Sequence, residues 1–364
     1  MSADREAELK LRLETYSDPW LRQTLGDAGA VTSVRVDGAR ATAEVTLGFP
    51  ASDYAAELSR ELQAHARGLA WLEGLDVRVS SNIAPHGRER NLRPVGGVKN
   101  IIAVASGKGG VGKSTVAANL ALAWAAQGAK VGVLDADIYG PSQPRMLGLS
   151  GQRPTSPDGK SLQPLVAHGL EVMSIGFLID EEQPMVWRGP MVTQALAQLL
   201  GETRWGALDY LVVDMPPGTG DIQLTLSQRV PVSGAVIVTT PQDIALLDAR
   251  KGLRMFEKVS VPVLGIVENM STHICSKCGH EEHIFGSGGG ARMAEQYGVD
   301  LLGSLPLDIR IREQADGGHP TVAADPAGEL AQAYRLTARR AAARLAALAI
   351  EKPASFPSIS VEDS

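Results

Sequence analysis

A glycine-rich stretch with two lysines, GKGGVGKST at residues 107–115, is the part of this sequence best suited to chemistry. It matches the phosphate-binding pattern G-x-x-x-x-G-K-[ST] and lies between an apolar run and a helical pattern. Glycines let backbone N–H groups curl around phosphates at the positive end of the helix. Lys113 is predicted to reach the β- and γ-phosphates, and Ser114 to hold Mg²⁺ through its hydroxyl. The residues predicted to contact the nucleotide here are Gly107, Gly109, Gly110, Val111, Gly112, Lys113, Ser114 and Thr115.

Carboxylates end two further apolar runs. In LVVDMPPGTGD, the run ends at Asp214, where a phosphate-loop enzyme places the carboxylate that acts on Mg²⁺ or its waters. In VLDADIYGPS, Asp135 and Asp137 stand at the end of another run. This is the edge at which open α/β sheets bind ligands. An isolated D-x-D pair is typical of a helix cap, but beside a phosphate loop we interpret it as catalytic, with Asp135 and Asp214 near Mg²⁺.

The two cysteines of the chain, Cys275 and Cys278, form a single C-x-x-C. Two thiolates supply half of a four-thiolate iron–sulfur site, and a two-fold dimer would bring four together. Three alternatives stay open: zinc held with His280 and His283, a thioredoxin-like redox pair, and two ordinary surface thiols. The short spacing from Cys278 to His280 is tight for a conventional zinc module. A redox C-x-x-C would open a helix in a different setting.

Strands and helices must position these groups. From residue 100, short apolar runs such as IIAVAS alternate with helical stretches such as TVAANLALAWAAQG. This order predicts an α/β fold with a doubly wound, mostly parallel sheet. An Asp37-Gly38 turn between alternating segments predicts a hairpin in a preceding α+β unit. The predicted boundaries are a small α+β domain over 1–86, a linker over 87–99, the phosphate-loop domain over 100–350 and a disordered tail over 351–364.

Composition limits the classes of function. The chain is 44% apolar and has a formal net charge of −6, which is typical of a globular protein without general attraction for nucleic acid or anionic lipid. Its first 14 residues alternate acids and bases, unlike a secretory signal. No apolar stretch approaches the ~20 residues needed to span a bilayer. We therefore expect a cytoplasmic protein whose partners are neither nucleic acid nor membrane.

The loop GKGGVGKST resembles the lysine-bearing phosphate loop of the MinD/ParA class of ATPases. The resemblance implies that the nucleotide is ATP and that two copies form a face-to-face homodimer. Lys108 would then cross the dimer interface to the phosphates bound by the partner subunit. The same resemblance implies that Asp137 positions the attacking water. It also implies that Asn269 and the segment Pro306 and Leu307 contact adenine.

The segments ENMSTHICSKCGHEEHIFG, DADIYGPSQPRMLG and VVDMPPGTGD resemble the Mrp/ApbC family of iron–sulfur cluster carrier ATPases, and the resemblance covers nearly the whole chain. It implies a labile 4Fe-4S cluster that bridges two subunits through Cys275 and Cys278. It also implies transfer of that cluster to apoproteins under slow ATP hydrolysis, with cluster-assembly scaffolds as further partners.

Residues 12–85 resemble the small domain shared with iron–sulfur assembly factors. That domain often carries a cysteine where Ala51 and Ser52 stand here. The departure puts a direct metal role for residues 1–86 in doubt and leaves a scaffold or docking role.

Two alternatives belong to the same ATPase class. A MinD-like positioning protein ends in a basic amphipathic helix that enters lipid. The segment AYRLTARRAAARLAAL at 333–348 has the arginines of such a helix but few large apolar side chains. A ParA-like segregation protein needs a strongly basic face for DNA, which an acidic chain disfavours. With either function, the C-x-x-C would be a structural zinc site. Neither function itself explains the cysteines.

Overall fold

The computed structural model describes residues 2–86, 92–178, 189–275 and 277–351. Residues 87–91 of the predicted linker and the predicted tail from residue 352 lie outside the described residues. Glu351, the first residue of that predicted tail, is the last residue of a helix. The chain has the expected architecture, in which a small α+β unit precedes a larger α/β unit.

The small unit contains, in chain order, α1 (Ser2–Glu14), β1 (Ser17–Asp18), β2 (Gln23–Thr24), β3 (Val31–Asp37), β4 (Arg40–Leu47), α2 (Ala55–Ala66) and β5 (Gly74–Ser81). β3 and β4 form the predicted antiparallel hairpin, and Gly38 in its turn has a φ of 62°. β5 pairs with β4 in parallel. Alternate residues of β4 are buried from Ala41 to Leu47, because a strand with one core-facing side has a two-residue period.

The larger unit is built from strands that alternate with helices. Its strands are β6 (Val98–Ala105), β7 (Val131–Asp135), β8 (Leu165–Ala167), β9 (Leu170–Ser174), β10 (Leu208–Asp214), β11 (Gly234–Thr239), β12 (Val263–Glu268), β13 (His273–Ile274), β14 (Glu281–Glu282) and β15 (Leu301–Ser304). Its helices are α3 (Lys113–Ala126), α4 (Gln143–Met146), α5 (Gly189–Glu202), α6 (Asp221–Arg229), α7 (Asp243–Lys258), α8 (Gly289–Tyr297), α9 (Ile309–Asp316), α10 (Thr321–Ala324) and α11 (Glu329–Glu351), with a 3-10 turn at Ile175–Phe177.

The central sheet has the strand order β15-β12-β11-β6-β10-β7-β9-β8. Pairing is parallel from β15 to β9, and β8 joins β9 in antiparallel fashion at the edge. The chain leaves β6 for β7 on one side and later adds β11 on its other side. This change of direction is the switch point at which doubly wound sheets bind ligands. The phosphate loop begins at the carboxyl end of β6.

The small unit packs against α11 and the carboxyl end of α3. The buried Arg339 of α11 forms a 2.8 Å ion pair with Asp53, and its guanidinium lies 4.8 Å from the ring centre of Trp20. The backbone N–H of Ser52 donates to the carbonyl of Gln127, the residue after α3. α3 therefore runs from the phosphate loop to the small unit. Across the described ranges, no helix is both long enough and apolar enough to cross a membrane.

Candidate nucleotide site and cysteine loop

The phosphate loop connects β6 directly to α3 and is held by close backbone approaches. Gly112 precedes α3 with a φ of 78°, and its Cα lies against the side-chain amide of Asn269. Gly107 lies against the backbone of α7, so a side chain there would collide with main-chain atoms. These contacts require glycine at both positions and place the N–H groups at the amino end of α3 around the loop.

Lys113 is the cation at the centre of the site. Its side chain is only 6% exposed, and Nζ donates to Asp214 Oδ1 and, at 3.2 Å, to Ser114 Oγ. Asp214 is fully buried at the end of β10. In this state the lysine is paired with the carboxylate predicted to act on Mg²⁺. A buried ion pair of this kind leaves a costly charge behind when either partner is removed.

Gln143 is a member of the site that the sequence analysis did not identify. Its Nε2 donates to Asp214 Oδ2 at 2.9 Å and to the carbonyl of Ser114 at 3.0 Å. Its side-chain Oε1 is buried without a hydrogen-bond partner in the described part of the chain. The available signal was the position of Gln143 at the start of a short helix shortly after the D-x-D pair, in DADIYGPSQPRMLG.

Asp135 lies beside Asp214, since the two residues are register partners at the ends of β7 and β10. It accepts hydrogen bonds from the backbone N–H groups of Asp137 and Gln143 and from Ser174 Oγ. Burial, and next the negative charge of Asp214, raise the pKa of Asp135 to about 7. Burial also raises the pKa of the half-buried Asp137, while the charge of Lys113 acts in the opposite direction.

These residues fit a hard divalent cation. The hydroxyl of Ser114 and the carboxylates of Asp135 and Asp214 are the oxygen donors that Mg²⁺ prefers. The two buried carboxylates face a single buried ammonium group, and this excess of negative charge is one reason that the pKa of Asp135 is high. The unpartnered Gln143 Oε1 adds an acceptor for a metal-bound water.

Lys108 differs from Lys113 in burial and in ion pairing. It is half-buried, and no carboxylate among the residues that the structure describes forms an ion pair with it. Its carbonyl accepts a 2.9 Å hydrogen bond from Ser106 Oγ, and the carbonyl of Ser106 accepts from the N–H of Gly218. The loop is thus fixed from both sides, while the Lys108 side chain has no ionic role within this part of the chain.

The residues expected to contact adenine lie on two hydrogen-bonded segments, one after β12 and one after β15. Asn269 follows β12, and its Nδ2 donates to the carbonyl of Val111 at 2.9 Å. The N–H of Leu307 donates to the carbonyl of Thr272, and His273 Nδ1 donates to the carbonyl of Leu307 at 3.0 Å. Pro306 directly precedes this pair of bonds. The segment after β12 therefore contacts the phosphate loop and leads into the cysteine pair.

The cysteines occupy a small hairpin between β13 and β14. The N–H of Cys275 donates to the carbonyl of His280, and the N–H of Gly279 donates to the carbonyl of Cys275. Both thiols are free; Cys275 is half-buried and Cys278 is exposed. Backbone N–H groups of Lys277 and Cys278 that point at the Cys275 sulfur lower the pKa of this thiol. This geometry favours the thiolate form, which is the form that binds metal.

The described residues of one chain do not complete a metal site around this hairpin. Among them there is no group of three or more His, Cys, Asp or Glu side chains placed to hold a metal ion. His283 is exposed, and its Nδ1 donates to the carbonyl of Ser271 at 2.9 Å. The zinc alternative, which needs His280 and His283 around both thiols, therefore has no support from the arrangement in a single chain.

Comparison with known proteins identifies the family. The model for the NUBPL iron-transfer P-loop NTPases matches residues 97–342, which is more than half of the chain. The chain belongs to this family. The model for iron–sulfur cluster assembly proteins matches residues 6–79. The resemblance to cluster carrier ATPases is thereby confirmed, and a positioning or segregation ATPase is not supported.

Individual relatives and solved structures are similar to this chain in sequence and in fold. The chain is 55% identical over 333 residues to the iron–sulfur cluster carrier protein of Escherichia coli strain K12, covering 92% of this chain and 90% of that one. It is 41% identical to a nucleotide-binding protein of Archaeoglobus fulgidus solved with ADP, with a TM-score of 0.55 over 61% of this chain and 87% of that chain. The cell division ATPase MinD of Pyrococcus furiosus, at 23% identity and a TM-score of 0.51 over 66% of this chain and 97% of that one, shares the fold.

Proposed function

We propose that this iron-transfer P-loop NTPase uses Mg²⁺ and ATP at residues 107–115 to control a 4Fe-4S cluster that it carries on Cys275 and Cys278 of two subunits. One observation carries the proposal: a nucleotide site with its own buried charges is joined by the segment after β12 to a hairpin with two free thiols and no further ligand among the described residues. The relatives named as cluster carriers support the same role.

Nucleotide binding would begin by exchanging the partner of Lys113. Its Nζ now donates to Asp214, and the β- and γ-phosphate oxygens would take that donor instead. Asp214 would then be free to act with Asp135 and the Ser114 hydroxyl on Mg²⁺. When bound, Mg²⁺ supplies neutralisation of the charge on the β- and γ-oxygens. The exchange replaces one buried charge pair by another, so the site stays satisfied throughout.

Asp137 would orient the attacking water. It stands two residues past the end of β7, half-buried, with its N–H bound to Asp135. Burial raises its pKa, which makes its carboxylate a stronger acceptor for a proton of that water than an exposed aspartate would be. Asn269 would place the base of the nucleotide, because its amide already contacts the loop at Val111, with Pro306 and Leu307 beside it.

A homodimer would complete both sites. A cubane cluster takes about four protein thiolates, and each chain of this sequence contains two cysteines. A two-fold axis near the hairpin would bring Cys275 and Cys278 of both subunits together. Lys108, which has no ionic partner in the described part of its own chain, would reach the phosphates bound by the other subunit. ATP would thereby favour the same assembly that holds the cluster.

The cluster is cargo in this proposal, and transfer to apoproteins follows from its place on an exposed hairpin. Cys278 is exposed, so an incoming thiolate could replace it at the cluster without unfolding the carrier. The domain proposed over residues 1–86 would dock assembly scaffolds or recipients. Ala51 is buried, and the exposed Ser52 donates its backbone N–H to the NTPase unit, so neither position supplies a thiolate for a metal. A location in the cytoplasm stays a prediction.

The proposal is tested by cluster transfer under anaerobic conditions. Protein reconstituted with iron and sulfide should show thiolate-to-iron absorption and should activate an apo 4Fe-4S enzyme, faster with ATP present. A Cys275→Ser, Cys278→Ser double variant should do neither, while a His280→Ala variant should behave as wild type. Loss of cluster in the histidine variant, or activation by the double variant equal to wild type, would contradict the proposal.

A further inference from the structure

A cavity of about 500 Å³ lies where the small unit meets the NTPase unit, away from both sites described above. Its walls come from residues 19–23 of the small unit, the loop 298–300 and the carboxyl half of α11. This volume is within the range of sites that bind small molecules, roughly 300–1,000 Å³.

The charge of the lining is opposite to that of the chain. Arg22, Arg340 and Arg344 line the cavity, and Asp300 is the one carboxylate among its described lining residues. The lining is therefore formally positive by two charges in a chain of net charge −6. Arg340 and Arg344 are one helical turn apart on α11, so their guanidinium groups belong to one face of the helix.

Individual groups in the lining have unused capacity for a ligand. Arg340 donates one N–H to the carbonyl of Leu302, a neutral acceptor that does not balance its charge. No carboxylate of the described chain forms an ion pair with Arg340. Trp20 Nε1 and Gln23 Nε2 are buried donors without a hydrogen-bond partner among the described residues. Both nitrogens are closed to water, so they lie behind the cavity wall, and the guanidinium groups are the donors that a ligand would meet.

Arg22 lies at this cavity in an unfavourable backbone conformation. Its φ is 56°, in the left-handed region that non-glycine residues rarely adopt. Its Nη1 forms a 2.5 Å ion pair with Asp300 across the junction of the two units. Strained positions of this kind persist where the surrounding structure requires them, and they are concentrated at binding sites.

We propose that this cavity binds a small polyanion that carries at least two carboxylate or phosphate groups. Guanidinium groups present paired N–H donors that match the oxygen spacing of both groups. Arg22 from one unit and Arg340 with Arg344 from the other would hold the ligand between them. The proposal does not depend on the cluster-carrier role, since it uses none of the nucleotide or cysteine residues.

Equilibrium dialysis of the full-length protein tests this site. Tricarballylate and pyrophosphate serve as the carboxylate and phosphate probes, with one molar equivalent of ADP present to fill the phosphate loop. We expect saturable binding of one probe molecule per chain. Arg340→Ala should weaken it about tenfold, which corresponds to about 1.4 kcal/mol. Asp300→Asn should instead tighten it several-fold, roughly the effect of one added positive charge near the ligand.

The matched control is Arg312→Ala, which removes an exposed arginine outside the cavity that already pairs with Asp316. It should leave both affinities unchanged. If Arg340→Ala fails to fold, the opposite shift in Asp300→Asn still decides the matter. Absence of saturable binding to either probe, or binding that is equal in wild type, Arg340→Ala and Asp300→Asn, would overturn the proposal. Preference for one probe identifies which oxyanion the site takes.

Discussion

The phosphate loop and the cysteine hairpin satisfy their polar groups in opposite ways. At the phosphate loop, Lys113 is 6% exposed and Asp214 is fully buried, and the two are paired within one chain. At the hairpin, Cys278 is exposed, Cys275 is half-buried, and the described residues supply no third ligand. The proposed nucleotide site is thus largely organised in a single chain, whereas the proposed cluster site would need the cysteines of a second.

Burial explains the difference. Charged groups inside a protein must be paired, because an unpaired buried charge costs several kcal/mol. Lys113, Asp214 and Gln143 therefore have to be arranged before nucleotide arrives. Thiols at the surface carry no such requirement, so two cysteines can stay without further ligands and remain open to a partner.

The largest effect is expected from Lys113→Ala. Hydrolysis should fall about 100- to 1,000-fold, since the β- and γ-phosphates lose their cation. The free protein should also be destabilised, because Asp214 would remain buried beside Asp135 without its partner. Cluster content after anaerobic reconstitution should stay at the wild-type level. ATPase rates and iron counts should be measured on this variant and on the surface control Lys130→Ala. If Lys113→Ala lost its cluster together with its ATPase activity, the two sites would not be independent.

Asp137→Ala should affect hydrolysis alone. We expect a fall of about 100-fold in kcat, the usual contribution of a group that takes a proton from the nucleophile. ADP affinity should change little, because the carboxylate of Asp137 does not belong to the phosphate loop. Stopped-flow binding with a fluorescent ADP, alongside steady-state hydrolysis, separates the two. Loss of nucleotide binding would give Asp137 a structural role instead.

Stability of the nucleotide-free protein should depend on pH through Asp135. Its pKa is raised to about 7 in the folded state, so the folded protein holds a proton that the unfolded chain releases near pH 4. This contribution to stability is present at low pH and is lost as the pH rises through 7. The slope should reach about 1.4 kcal/mol per pH unit between those values.

Urea unfolding at pH 5, 6, 7 and 8 measures this dependence, with Asp316→Asn as an exposed control. Asp135→Asn should flatten the profile, and Mg²⁺ with ADP should flatten it in the wild type. An unchanged slope in Asp135→Asn would assign the titration to another group.

Lys108 decides whether the nucleotide site is complete within one chain. If it serves the partner's nucleotide, then Lys108→Ala and Asp137→Ala subunits should complement each other when mixed. Half of the dimers at equal mixing would be heterodimers with one of two sites intact, so about a quarter of the wild-type rate should return. No recovery above the separate variants would place Lys108 in its own subunit's site and leave the nucleotide site complete in one chain.

The position of a feature could be predicted from the sequence alone where the spacing of nearby residues determines its geometry. GKGGVGKST specifies a loop between β6 and α3, and Asp135 and Asp214 end strands that turn out to be neighbours in the sheet. Each of these features depends on a few adjacent residues and on the common carboxyl edge of parallel strands. Their functional roles stay predictions until they are measured.

Other features depend on contacts between distant parts of the chain and were missed. Gln143 reaches Asp214 across 71 positions, and its place shortly after the D-x-D pair does not reveal that contact. Four strands, namely β9, the edge strand β8 and the hairpin strands β13 and β14, are two to five residues long, which is too short for a clear alternating pattern. The contacts of Arg339 with Trp20 and Asp53 join two units that local patterns treat separately.

A cluster held by the cysteines of two chains has a defined stoichiometry, which can be measured. Protein reconstituted anaerobically should be sized by light scattering while iron and sulfide are counted in the same peak. The account predicts about four irons and four sulfides per dimer, with no cluster on monomer and none on Cys275→Ser. One zinc ion per chain, bound equally by monomer and lost in His280→Ala or His283→Ala, would contradict it.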